Sequence, residues 1–228
     1  MGLNAKKPNN NGNKQFAPQK NIAPGTYPAR LVQLIDLGVQ PQRAYMGKDK
    51  PPCQEIMLTY EMVDEYMKDE KGADIEDKPR WVSESLPFFG LHADKAKSTQ
   101  RYLAFDPNQD YDGDFTRAVG SPINLTIINN PGKEGKVYDN VASLSPMRPK
   151  DAANCPELKN PTKVFDLENP DMEVFNSLPE WIQEKIKNNL NFQGSPLQKA
   201  LAGQPEKQDK PAKQEEAQKA EDDDDNPY

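Results

Sequence analysis

Long apolar runs are missing from this chain. Nowhere do about 18 apolar residues follow one another, so no membrane-spanning helix is expected. No apolar stretch follows Lys6 and Lys7, which argues against a secretory signal. Cysteine is scarce: Cys53 and Cys155 are the only two and lie far apart, as suits reduced thiols in a cytoplasmic protein, with a single disulfide as the alternative. His92 is the only histidine, so no zinc site with the usual ligand spacing can be assembled. P-loop, dinucleotide fingerprint and nucleophile elbow are all lacking. The expectation is therefore a protein with no catalysis, no cofactor and no metal. Apolar residues are themselves in short supply, at 35% of the chain, while prolines number 22. A chain of this composition does not bury a core along its whole length, and disordered segments are expected.

What is present is charge, and it is segregated. The net charge of -7 conceals a basic start, where residues 1–21 hold Lys6, Lys7, Lys14 and Lys20 and no acid. Residues 22–150 carry 16 basic and 19 acidic side chains, and residues 151–204 carry 5 and 8. The end is the most acidic part, with 4 lysines against 9 acids over residues 205–228. An overall negative sign thus does not exclude a nucleic-acid partner.

Residues 1–21 offer little to bury and read as a flexible basic arm. A first strand is expected over Thr26–Val39. One of its faces would carry Tyr27, Ala29, Leu31, Gln33, Ile35, Leu37 and Val39, and the other Arg30, Val32, Leu34 and Asp36. A loop with Arg43, Tyr45, Lys48 and Lys50 leads to a second strand over Cys53–Tyr66, with Ile56, Leu58, Tyr60 and Met62 on one face. An acidic connection, Asp69–Asp77, precedes a third strand over Arg80–Phe89. Next comes a helix over His92–Phe105, with Ala96, Thr99, Tyr102 and Leu103 as its packing stripe.

A hairpin follows, its first strand alternating around Ile123, Leu125 and Ile127 and its second running from Lys136 to Val141. Its turn is rich in Asn, Pro and Gly. Residues 148–176 would wrap over the surface. Ser177 and Glu180 fit a capping box opening a helix to Asn191, with Trp181, Ile182, Ile186 and Leu190 on one side. Residues 195–228 read as a disordered acidic tail.

Three strands, a helix and two more strands, with a basic and aromatic loop after the first strand, is the order of an OB-fold. The expected architecture is an all-β core: a five-stranded OB-fold barrel over residues 22–150 with one inter-strand helix. A wrapping segment and an additional C-terminal helix would fill residues 151–194, with disordered N- and C-terminal tails. The chain closes in Asp222, Asp223, Asp224, Asp225, Asn226, Pro227 and Tyr228. With that ending, and with the stretch GTYPARLVQLIDLGVQ at residues 25–40, it resembles single-stranded-DNA-binding proteins, in particular those encoded by bacteriophages. Bacterial members often end in Pro-Phe, whereas this chain ends in Pro-Tyr.

The resemblance implies sequence-tolerant protection of single strands during DNA replication or recombination, in the cytoplasm of a bacterial host. It also implies self-association on DNA, and recruitment of replication or recombination proteins through Asp222–Asp225, Pro227 and Tyr228. An acidic tail can occupy the DNA groove until DNA displaces it.

OB-folds bind single strands by stacking bases on aromatic rings while Lys and Arg track phosphates. The candidate contacts are Arg30, Arg43, Tyr45, Lys48, Lys50, Arg80, Trp81, Phe88, Lys133, Lys136 and Tyr138. Trp81 is open to two readings, a stacking platform or a core tryptophan, and Arg30 is either a phosphate contact or a solvated arginine. Phe88 and Phe89 should point to opposite faces, one to the core and one outward. Asn108, Asp110, Asp112 and Gly113 match the opening of an EF-hand loop, but Val119 stands where its bidentate Glu belongs. Two rival functions follow from the same residues. One is an OB-fold protein-interaction module without nucleic-acid binding. The other is a metal-dependent nuclease using Asp110, Asp112 and Asp114.

Overall fold

The computed structural model describes residues 19–44, 46–132 and 135–203. Strand β1 (Gly25–Gln40) is the organising element, because three other strands pair with it. β2 (Cys53–Lys68) runs antiparallel along Ala29–Gln40, and β4 (Pro122–Pro131) runs antiparallel along Gly25–Arg30. β3 (Asp74–Pro87) adds to β2, and β5 (Val137–Ser145) adds to β4. The order β3-β2-β1-β4-β5 makes a curled antiparallel half-barrel. Helix α1 (Lys97–Phe105) and a 3-10 turn (Phe115–Ala118) fall between β3 and β4.

β1 does not keep one apolar face along its length. The pairing with β2 shifts between Leu31 and Gln33, so Val32 is an extra residue and the side-chain alternation reverses there. Ala29, Leu31 and Leu34 join the inner core with Leu58, Tyr60, Met62, Val82, Tyr102, Ile123, Leu125 and Ile127. Ile35 and Leu37 instead face outward into a second core with Met57, Phe165, Phe175, Ile182, Ile186 and Leu197. A strict period of two, as the sequence suggests, would have put Leu31 and Ile35 on one face.

The second core is made by the chain after β5. α2 (Pro149–Ala153) is followed by β6 (Lys163–Phe165), which pairs parallel with Gln33–Ile35 on the edge of β1 that β4 leaves uncovered. α3 (Met172–Ser177), α4 (Glu180–Lys187) and α5 (Pro196–Ala202) complete the layer. The expected capping box does not form. Ser177 ends α3, and its hydroxyl donates to the Val174 carbonyl, while Pro179 stands at the N-cap of α4 without a side-chain bond. Ile182 and Ile186 bury against the sheet as expected, whereas Trp181 and Leu190 are exposed. α5 is a second departure, because it falls within the span expected as tail. Ser195 caps it by accepting from the Gln198 amide, and Leu197 is fully buried.

Gly38 permits this docking. Its φ is +77°, and a Cβ there would meet Asn189 at 2.6 Å and Leu167 at 2.9 Å. Only a residue without a side chain lets the end of α4 reach β1, where the Leu190 amide donates to the Val39 carbonyl.

The strands β3 and β5 are not backbone neighbours, and side chains span the seam between them. Arg101 of α1 pairs with Glu84 of β3 at 2.8 Å and donates to the Val141 carbonyl of β5. Glu84 also accepts from the fully buried Tyr60 hydroxyl. At the other end Arg80 pairs with Asp139 at 3.5 Å. Residues 19–22 lie over that end: Gln19 bonds the Lys68 backbone twice, and Lys20 accepts from Arg80 through its carbonyl. Asn21 and the Ile22 amide donate to Asp139. The arm expected over residues 1–21 is thus fastened from Gln19 onward.

Candidate nucleic-acid interface

The residues singled out from the sequence divide between the two ends of β1. Arg43, Lys48 and Lys50 are exposed on the β1–β2 loop, beyond the Gln40–Cys53 pair. Tyr45 lies outside the described residues. Two elements remote in sequence close on this loop. Lys185 of α4 pairs with Glu55 of β2, and the exposed Lys187 sits one residue beyond α4's last buried position. From the other side the Phe88 amide donates to the Gln54 carbonyl at 2.7 Å. Phe88 itself packs on the inner core, and its neighbour Phe89 is the exposed ring, at 45%. The outward aromatic is therefore Phe89, not the Phe88 favoured from sequence.

At the opposite end the β4–β5 loop carries an exposed Lys136, with Tyr138 half-buried over the loop backbone. A Cβ on Gly132 would fall 2.2 Å from the Tyr138 ring, so glycine there is what lets the ring lie flat against the turn. Lys133 lies outside the described residues, as do Asp222, Asp223, Asp224, Asp225, Pro227 and Tyr228. The β2–β3 turn shares this end, and acids gather around it: Asp64 and Glu65 late in β2, Asp69 and Glu70 in the turn, and Asp74, Glu76 and Asp77 early in β3. Their charge is felt locally. Burial raises the Asp64 carboxyl above the usual carboxylate range, and the neighbouring Glu65 charge adds to the rise.

Arg30 is not a surface arginine. It is 8% exposed, and its fork donates to the carbonyls of Gly120, Cys155 and Pro156 and to Glu157. All three guanidinium nitrogens are engaged, which leaves no face for a phosphate. Arg80 is likewise turned into the seam, toward Asp139 and Lys20. The polar face of β1 carries no free cation because the segment after α2 lies against it.

Trp81 is not a core tryptophan. Its neighbour Val82 is in the inner core, so the indole points to the outer face of β3, where it is 42% exposed. Its ring N–H donates to Glu61 at 3.0 Å. Glu61 is 1% exposed, and its carboxylate also accepts from the Lys159 amide at 2.6 Å and from Asn160 at 2.7 Å. A buried carboxylate needs such donors. Nothing in the sequence marks Glu61, because its partners come from β3 and from a segment about a hundred residues away.

The acidic loop after α1 is organised by its own side chains. Asp106 accepts from the Tyr102 hydroxyl and from the amides of Asp110 and Tyr111, and Asp114 accepts from Thr116. Among the described residues no group of three metal-ligating side chains is placed to hold an ion. Cys53 and Cys155 are both free thiols, each raised above the ordinary value by burial. Among the described residues no helix is long and apolar enough to cross a membrane.

No family model matches the chain, and no curated protein or solved structure matches it.

Proposed function

We propose that this protein binds single-stranded DNA without sequence preference and without catalysis, using the outer rim of an OB-like barrel. The observation that carries the reading is the strand order β3-β2-β1-β4-β5 with a helix between β3 and β4, joined to an exposed basic β1–β2 loop. In an OB-fold the loop after the first strand and the outward side chains of the third strand flank the groove for the nucleic acid, which supports the reading. Arg43, Lys48, Lys50 and Lys187 supply cations, and Trp81 and Phe89 supply exposed rings, the pair of chemistries a single strand requires. The acidic ending, residues 221–228, acts as a tethered competitor for the cationic loop and as a handle for replication or recombination proteins.

The test is anisotropy of a labelled oligo-dT across a salt series, with the full chain and with a chain ending at residue 214. Binding that weakens as salt rises and tightens on truncation supports both the DNA reading and the competing tail. No binding by either chain at low salt refutes the reading. That result would favour a protein-interaction module, for which the exposed Trp181 and Leu190 on the outer layer are the supporting observation.

A further inference from the structure

The segment after α2 is held to the sheet by two buried charges that are neighbours across strands. Arg30 of β1 and Glu61 of β2 are register partners. Arg30 grips the start of the segment through the carbonyls of Cys155 and Pro156, at 2.9 and 2.8 Å, and pairs with Glu157 at 3.0 Å. Glu61 grips its end through the Lys159 amide and the Asn160 side chain. A cation that binds carbonyls and an anion that binds N–H groups fix a short run of chain at both ends. At the second anchor Lys159 has its backbone amide bonded to Glu61 and its side chain exposed.

The same carboxylate holds Trp81. One oxygen of Glu61 accepts from Lys159, while the other accepts from Trp81 and Asn160. The root of an exposed ammonium and the edge of an exposed indole are therefore set against one buried group, although 78 positions separate Trp81 from Lys159 in the sequence. We propose that Trp81 and Lys159 form one subsite for single-stranded nucleic acid. A base stacks on the indole and the adjoining phosphate meets the ammonium, with Glu61 as the positioning residue between them. This rests on the DNA-binding reading above and adds to it a cation from outside the barrel and a reason for the ring's orientation. Glu157, an acid on the same segment, pairs with Arg30 through one oxygen at 3.0 Å, and its side chain otherwise stays exposed.

The experiment uses the full chain carrying Trp181→Phe, so that tryptophan emission reports Trp81, with fluorescein-labelled oligo-dT as the probe. Lys159→Ala should weaken binding and make the salt slope shallower by about 0.7, the value for one phosphate contact on a single strand. Trp81→Ala should weaken binding roughly tenfold, as expected for a stacked base. Trp81→Phe keeps a ring but loses the bond to Glu61, and should fall between the two. Glu61→Gln should raise the Kd with the salt slope unchanged, and should make Trp81 more accessible to acrylamide quenching. If Glu61→Gln does not fold, Lys159→Ala and Trp81→Phe still decide, since both sites are exposed. A parent chain that binds oligo-dT while Lys159→Ala and Trp81→Ala bind with equal affinity and slope overturns the subsite alone. A parent chain that does not bind overturns the DNA-binding reading and the subsite with it.

Discussion

Single residues in this protein carry obligations that only their neighbours explain. Gly38 has to be glycine because its φ is +77° and Asn189 and Leu167 occupy the space a Cβ would fill. Gly38→Ala should lower stability by about 2–4 kcal/mol in urea unfolding, combining backbone strain with a forced retreat of α4. Asp106 is a second case. Burial alone would raise its carboxyl, yet the amides of Tyr111 and Asp110 and the Tyr102 hydroxyl hold it below the usual value of 3.8. A depressed folded value means the group adds stability above the unfolded pKa and loses it as pH falls through the folded one. Wild type should therefore exceed Asp106→Asn in stability at neutral pH, with the gap closing below about pH 4. A gap that stays constant on acidification would show that the charge of Asp106 is not what holds the loop.

At the scale of elements, the outer layer is as much a part of the fold as the half-barrel. β6 extends the sheet at β1, and α3, α4 and α5 close the core around Ile35, Leu37 and Met57. Among the described residues α5 is the last element that packs on this core. Ending the chain after Gly203 should leave the urea midpoint unchanged. Ending it after Gly194 removes the fully buried Leu197 and should cost roughly 2–3 kcal/mol. The seam between β3 and β5 illustrates another economy of means: Tyr60, Glu84 and Arg101 join the edges from inside, where a hydrogen-bonded strand pair would otherwise be required. Burial raises the Tyr60 phenol well above its ordinary value, and the adjacent Glu84 charge raises it further, so the hydroxyl stays a donor.

For the molecule as a whole, the distribution of charge sets how a polyanion approaches. The acidic residues around the β2–β3 turn and the cationic β1–β2 loop stand at opposite ends of β1, and under the proposed function this asymmetry would steer a DNA strand to the cationic end. Residues 19–22 are fastened at the acidic end, against Lys68, Arg80 and Asp139, and residues 1–18 of the expected arm lie outside the described residues.

The sequence by itself determined the order of strands and helix, the inner face of β2, the hairpin of β4 and β5, and the basic character of the β1–β2 loop. These follow from periodicity, turn residues and local charge, which act over a few positions. It also marked Trp81 as a candidate without deciding its exposure. Only the tertiary structure decided that Val32 reverses the faces of β1, because a bulge is a property of two strands in register. The same holds for Arg30, which reads as a surface cation on an exposed strand and becomes an anchor once residues 155–157 lie over it. Glu61 and Lys159 were invisible for that reason too: a buried carboxylate gains meaning from donors brought by distant segments, and the packing of the outer layer is what brings them.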